Sequence, residues 1–460
     1  MTGSNTLLET GGTKIIVDCG LHQGSRDAEE TNWEKPSYEP KEIQFVIITH
    51  SHIDHIGRLP YLYRLGFRGK VISTRPVVEF ARIFLEDTCR LMTEEAKDHR
   101  QEPLFDENDI NGVLTLFETT DYYQAKDLTE NIQVKLYDAG HILGSAIVEI
   151  KAEGKTLIFS GDLGNPPVPI LRDTDFIEKA DYVVMESTYG DRNHDPYQER
   201  KIKLERAIEK VIANSGVLLL PAFAMERTQE ILFEINDLIE KSAIPKIPVY
   251  IDSPLAIKAT EIYKKFPDYY DDESRKLVEG GDDIFKFPGA VFTKSSEESK
   301  KIDLSANPKI IIAGSGMSTG GRILFHERKY LPDPNSTLLI IGFQVERSLG
   351  RRIKDGEKDI KIQGQNVHVQ ASVDAIEAYS AHADQQRLKF WLSKIARPIY
   401  PVRDNGDANI GGSATTFSNG VKKVFLIHGE DEPKNVLMHQ IKDELGLEVA
   451  IPKKNESFEI

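Results

Sequence analysis

Short apolar runs that end on small or polar residues recur along the whole chain, and they predict an α/β protein whose chemistry sits at strand ends. Phe45-Val46-Ile47-Ile48 is uninterrupted and β-branched, the pattern of a buried strand. Residues 6–17 read as a hairpin turning at Gly11-Gly12 and ending at Asp18. Further strands are predicted at 70–74, 131–138, 182–185, 423–427 and around Val449, with a hairpin of 147–150 and 155–159 about Glu153-Gly154. Helical spacing predicts helices over 53–65, 77–92, 385–393 and 433–445, and the charged stretch 98–118 reads as peripheral helix.

Between Asn193 and about Asp374 the pattern changes to four units of strand, small-residue loop and helix. Their strands are 217–220, 249–251, 309–313 and 338–341, and such alternation predicts a doubly wound parallel sheet in a domain of its own. The loop Gly314 to Gly321 resembles a phosphate cradle at a helix N-terminus, although tight turn packing explains its glycines equally well. Tyr400 to Gly420 is rich in Gly, Asn, Ser and Thr and reads as a flexible loop.

Length then favours two domains, because 460 residues exceed one ordinary core. No stretch approaches the run of about 18 apolar residues that a membrane span needs, so no membrane partner is expected. Only Cys19 and Cys89 are present and the first residues carry no signal pattern, which suits a reducing cytoplasm with buried thiols. The net charge of -15 argues against a basic surface that coats nucleic acid, yet leaves room for a local basic channel. Arg347, Arg351, Arg352 and Lys354 form either such a patch or a solvated face.

The candidate chemistry centres on Thr49-His50-Ser51-His52-Ile53-Asp54-His55, a strand-to-helix loop. Imidazole nitrogen and carboxylate oxygen are ligands that Zn²⁺ takes, and four of them exceed the easy needs of one ion. His50 and His52 can point one way and Asp54 and His55 another, which predicts a binuclear centre. His141 and His428 also stand at strand ends, as does Asp162 between glycines, where a carboxylate can bridge two metals. Asp18 is a candidate for holding an imidazole from behind.

Taken together, His50, His52, Asp54, His55, His141, Asp162 and His428 resemble the motif series of the metallo-β-lactamase fold. Glu186, His382 and His428 resemble the additional motifs of its β-CASP nuclease branch, as do Pro221-Ala222-Phe223-Ala224, Asp252-Ser253-Pro254-Leu255, Ser315-Gly316-Met317 and Ser380-Ala381-His382-Ala383-Asp384. The resemblance is to bacterial and archaeal relatives of the nuclease subunit of the cleavage and polyadenylation specificity factor. It implies an α/β fold in which an αββα metallo-β-lactamase sandwich, residues 1–190 and 375–460, is interrupted by a β-CASP domain with a parallel doubly wound sheet, residues 191–374.

The resemblance also implies two Zn²⁺ per chain, one on His50, His52 and His141 and one on Asp54, His55 and His428, with Asp162 bridging and Asp18 behind. The implied reaction is hydrolysis of RNA by a metal-bridging hydroxide, with His382 as general acid, Glu186 holding its imidazole, and Asp54 and Asp18 completing the catalytic set. A 5′ phosphate and a 3′ hydroxyl would result. His428 in place of the valine typical of DNA-cutting relatives implies RNA, and Ser380, Ser315 and Arg351 are candidate phosphate contacts. Endonucleolytic cleavage of single-stranded RNA leads the expectations. A 5′–3′ exoribonuclease, a small-molecule metallo-hydrolase and an inactive RNA-binding subunit are the alternatives, and a homodimer is left open. The family normally has a strand ahead of Met1-Thr2-Gly3-Ser4, so either the start is truncated or the sheet edge differs.

Overall fold

Two sheets pressed face to face carry every predicted strand outside 193–374. In the computed structural model, which describes residues 3–23, 29–99, 102–342, 344, 345, 347–396 and 420–460, one of them has five strands and the other seven. The five-stranded sheet runs Thr6–Thr10, Thr13–Val17, Phe45–Ile47, Lys70–Ser73 and Phe117–Thr119. The other runs Val449–Ala450, Lys423–Leu426, Tyr182–Met185, Lys155–Phe159, Ala146–Ala152, Ile132–Asp138 and Ala125–Thr129.

Alternation of side chains decides what each face buries. Val17, Ile47 and Ile72 point inward against Val134, Val148, Phe159 and Val184 of the facing sheet. Their neighbours Ile16, Val46 and Val71 point outward and pack on Val77, Ala81 and Leu85 of the helix Arg75–His99. On the opposite side Ile158, Val183 and Leu426 are covered by Leu388 and Leu392 of Gln385–Ala396 and by Leu437 and Ile441 of Asp431–Leu445. The result is the αββα sandwich.

The inserted sheet is wholly parallel, in the order Ala290–Phe292, Val249–Ile251, Lys309–Ala313, Val217–Pro221, Thr337–Ile341, Ser372–Ile376. It therefore has six strands rather than the four expected. The two missed are edge strands. Ala290–Phe292 has only three residues, and Ser372–Ile376 mixes serine and aspartate into its short run, so neither shows the apolar signature of a buried strand. Ser372–Ile376 also straddles residue 374, the expected domain boundary.

Two other expectations change. The helix expected over 53–65 is two short ones, Ile53–Ile56 and Leu59–Arg64. The chain breaks at Gly57-Arg58, where Arg58 N–H donates to Cys19 O at 2.9 Å, and Pro60 opens the second helix. Of 98–118, residues 98 and 99 end the helix Arg75–His99 and Glu107–Leu114 is a separate helix; Asp106 caps its N-terminus, and Phe117–Thr119 joins the sheet edge instead. Apart from Gly420, the loop 400–420 lies outside the described residues. No helix among the described residues is long and apolar enough to cross a membrane.

Asp252, fully buried after its strand, ties several loops of the inserted sheet together. Its carboxylate accepts from Thr293 Oγ1 at 2.6 Å, Ser299 Oγ at 2.6 Å and Arg322 at 2.7 Å, and meets His326 Nε2 at 2.8 Å. Burial alone would raise its pKa, but these partners draw it down to about 2. A depressed carboxylate stabilises the fold above its unfolded pKa and loses that contribution as pH falls through the folded value. Asp252→Asn is therefore expected to cost about 2 kcal/mol at neutral pH, with the deficit shrinking between about pH 4 and pH 2. Denaturant titrations across that range check it; a deficit independent of pH would contradict it.

Candidate metal centre

Every predicted ligand stands just beyond the C-terminal end of a strand, where sheet pairing stops and the chain can turn its side chains into a cleft. Asp18 follows Thr13–Val17, the His50–His55 segment follows Phe45–Ile47 with Asp54 and His55 on the short helix Ile53–Ile56, His141 follows Ile132–Asp138, Asp162 follows Lys155–Phe159 and His428 follows Lys423–Leu426. Two of these residues hold left-handed backbone, Asp18 at φ 62° and His428 at φ 44°. Such a conformation costs about 1–3 kcal/mol each and persists only where the surroundings impose it. At Gly20 the backbone comes so near the ligand loop that a Cβ would lie 1.6 Å from Asp54 O.

The donor atoms form two sets. His50, His52, His141 and Asp162 make one; Asp54, His55 and His428 make the other, and within each set the atoms lie within 4.8 Å of one another. His52 Nδ1 is 3.1 Å from His50 Nε2 and 3.2 Å from His141 Nε2. Asp162 Oδ2 lies between the sets, 3.4 Å from His50 Nε2, 3.4 Å from His55 Nε2 and 3.7 Å from both His141 Nε2 and His428 Nε2. Asp54 Oδ2 is 3.7 Å from His428 Nε2. Nitrogens on a tetrahedral ion at about 2.1 Å sit roughly 3.4 Å apart, so these spacings fit a shared cation.

Hydrogen bonding fits it too. His55 Nδ1 meets Asp18 Oδ2 at 2.8 Å, and Asp18 is itself held by Thr49 N–H at 2.8 Å. His141 Nδ1 meets Ala381 O at 3.1 Å. With those protons spent outward, the opposite ring nitrogens aim lone pairs inward, the arrangement that orients a metal-bound imidazole. His55 Nε2, Asp162 Oδ1 and His428 Nε2 are buried with no hydrogen-bond partner. Leaving such groups unpaired costs about 1–3 kcal/mol each, a deficit that cation coordination would remove.

Electrostatics sort the imidazoles. Burial holds His50 and His141 well below the usual range and His52 down to about 4. Burial would lift Asp162, but the imidazoles of His428, His55 and His50 hold it well below the usual carboxylate range. His382 lies alongside, its Nδ1 3.3 Å from Glu186 Oε2 and 3.8 Å from Asp162 Oδ2. Burial opposes a charge there, yet Glu186 and Asp162 prevail and raise its pKa to about 9.

Comparison with known proteins decides the family. The Metallo-beta-lactamase superfamily domain matches residues 7–186, the Beta-Casp domain 228–353, and the Zn-dependent metallo-hydrolase RNA specificity domain 366–403. A protein of Thermus thermophilus named as a ribonuclease is 34% identical over 100% of this chain and 97% of its own length. The chain belongs to the β-CASP branch of the metallo-β-lactamase superfamily. An RNase J-like protein of Methanocaldococcus jannaschii is 33% identical over 87% of this chain and 88% of its own. The transcription termination factor FttA of Methanosarcina mazei is 29% identical over 87% of this chain, which spans 64% of that relative. A crystal structure of a protein of unknown function from Enterococcus faecalis shares the fold, with TM-score 0.52 at 12% identity over 99% of this chain and 96% of that one.

Membership makes the chain a metal-dependent hydrolase, and the two donor sets fit the family's divalent metal. In this β-CASP hydrolase the turn carrying His382 is gripped from several sides by residues that sequence reading missed. Asn165 Nδ2 donates to Ser380 O at 3.2 Å, His194 Nε2 meets His382 O at 3.0 Å, and Ala383 N–H donates to Leu163 O at 2.7 Å. Three residues before His382, the buried Tyr379 hydroxyl donates to Glu234, while its ring lies 4.6 Å from the Arg200 guanidinium that pairs with Glu234. Each of these contacts joins segments far apart in sequence, so no local pattern marked them.

The candidate phosphate contacts are less uniform. Ser380 adjoins His382, whose N–H donates to Ser380 Oγ at 3.4 Å. Ser315 Oγ accepts from Thr319 N–H at 2.9 Å and Gly320 N–H at 3.1 Å, and Arg351 pairs with Asp355 at 2.8 Å. Neither set of contacts runs to the imidazoles.

Asp18→Asn tests the residue behind His55. Loss of such an outer partner is expected to weaken metal affinity about 10–100-fold. Competition with a chelator of known affinity measures it, and an unchanged affinity would show that Asp18 serves only the backbone of Thr49.

Proposed function

We propose that this hydrolase is a ribonuclease that cuts RNA phosphodiester bonds within the strand, using two zinc ions and His382 as proton donor. One observation carries the reading. Two sets of metal-binding side chains converge on Asp162, and a paired imidazole and carboxylate, His382 and Glu186, stand beside the same atom. A lactam or thioester hydrolase would have no use for that second pair. The relatives named as ribonucleases and the RNA specificity domain match over 366–403, which contains His382, support RNA as substrate. The inserted unit 191–374 and the sandwich halves 1–190 and 375–460 then form the two walls of the cleft.

Zinc ions held by His50, His52 and His141 and by Asp54, His55 and His428 would lower the pKa of water and stabilise the attacking and leaving oxygens of an in-line displacement. The protein's own groups do the rest. Glu186 Oε1 accepts from Leu163 N–H at 2.6 Å, which fixes its other oxygen toward His382 Nδ1. That leaves His382 Nε2 to hold the proton passed to the departing 3′ oxygen. Asp18 keeps the His55 ring in place through Nδ1. Burial keeps the three imidazoles of the first set neutral and able to bind a cation.

The test is incubation of the purified protein with 5′-labelled single-stranded RNA and DNA, with and without chelator. Internal RNA fragments that vanish on chelation are expected. Mononucleotides alone would replace the endonuclease by the exonuclease alternative, and thioester turnover without RNA cleavage would overturn the ribonuclease itself.

A further inference from the structure

We propose that Phe223 is a base-stacking platform beside the metal centre, a subsite for one nucleotide base of single-stranded RNA. The inference deepens the ribonuclease reading and rests on it. Phe223 is 41% exposed, although Ala222 before it and Met225 after it are buried. A large apolar ring left open in an otherwise buried turn is not there to fill the core.

The ring is held rather than loose. It packs on Gly316 of the adjacent loop so closely that a methyl group at that glycine would come within 2.7 Å of Phe223 Cδ2 and 2.8 Å of Cε2. Thr228 Oγ1 donates to Phe223 O at 2.7 Å, Gln229 Nε2 to Ala224 O at 3.2 Å, and Ala222 N–H to Ala313 O at 3.0 Å. A fixed ring loses little entropy when a ligand stacks on it.

Its position is set by Met225, whose sulfur lies 3.5 Å from Ser51 Oγ. Ser51 stands between His50 and His52 of the first donor set. Two residues of chain span at most about 7 Å, so the backbone of Phe223 is tethered near the turn that meets Ser51. The net charge of -15 gives the protein as a whole no attraction for phosphates. Stacking supplies affinity that does not depend on charge, and every base offers a face to it.

The experiment measures the Kd for a single-stranded RNA on His382→Ala holoprotein, alone and combined with Phe223→Ala, Phe223→Leu or Phe223→Trp. Stacking is worth about 1–3 kcal/mol per base, so the Ala and Leu variants should raise Kd about 5- to 150-fold and Trp should restore it. The Leu variant keeps apolar bulk without a π-face, which separates stacking from simple hydrophobic contact. Replacing bases one at a time by abasic positions should find one position at which the Phe223 effect disappears. An unchanged Kd in Phe223→Ala, full retention in Phe223→Leu, or a shift in oligomeric state alone would overturn the subsite. Failure of otherwise unaltered protein to cut RNA would instead overturn the ribonuclease reading, and the binding measurement would still decide the subsite.

Discussion

His382→Ala should lower kcat for RNA by about 10²–10⁴-fold, the usual contribution of a positioned acid, without emptying the metal centre. The separation is expected because neither donor set around the proposed ions includes His382; it forms a third group with Glu186 and Asp162. The proposed role as a proton donor makes a sharper demand. A substrate whose leaving group departs without a proton, such as a nitrophenyl ester of a nucleotide, should be cut almost equally by wild type and variant. If His382→Ala is as damaged on that ester as on RNA, the residue shapes the cleft rather than donating a proton. Glu186→Gln should follow in the same direction with a smaller loss, since it removes the carboxylate's charge but keeps its shape.

Asp162→Asn should do what His382→Ala does not, and strip metal from the protein. The carboxylate oxygen Oδ2 lies within 3.7 Å of nitrogens from both donor sets, so it offers a negative charge to each. Removing its charge would leave the proposed cations of the two sets without their common anion. Several kcal/mol of transition-state stabilisation depend on those cations, so the loss in kcat is expected to be about 10³-fold or more. Elemental analysis should find fewer bound ions per chain than in wild type. Because ligands bound only by the folded state raise its stability, chelation should lower the Tm of wild type and leave that of Asp162→Asn nearly unchanged. A variant with full metal content and normal Tm response would show that the two sets hold their ions without a bridge.

Much of this centre could be read before any fold was known, and the reason is local. His50, His52, Asp54 and His55 fall within six residues, and a strand signature leads straight into them, so ligand type and placement appear together. Asp162 and His428 each follow a short apolar run and His141 follows an alternating strand, and all three sit beside glycine, which repeats the strand-end signal. The six-stranded insert was less readable at its edges, since Ala290–Phe292 and Ser372–Ile376 are too short or too polar to announce themselves. Nothing in the neighbourhood of Asn165, His194 or Tyr379 distinguishes it from a loop or core residue. Their partners lie 215, 188 and 145 residues away.

The sequence by itself determined which side chains are candidates for the chemistry and that strand ends present them, because residue type and periodicity are properties of a few neighbouring positions. Tertiary structure alone decided that imidazoles from three distant strand ends meet on the Asp162 carboxylate, that Glu186 faces His382, and that Met225, two residues after the exposed Phe223, meets Ser51. Those relations are distances between segments, set by how two sheets and a parallel insert pack their apolar faces together, and a linear pattern does not contain them.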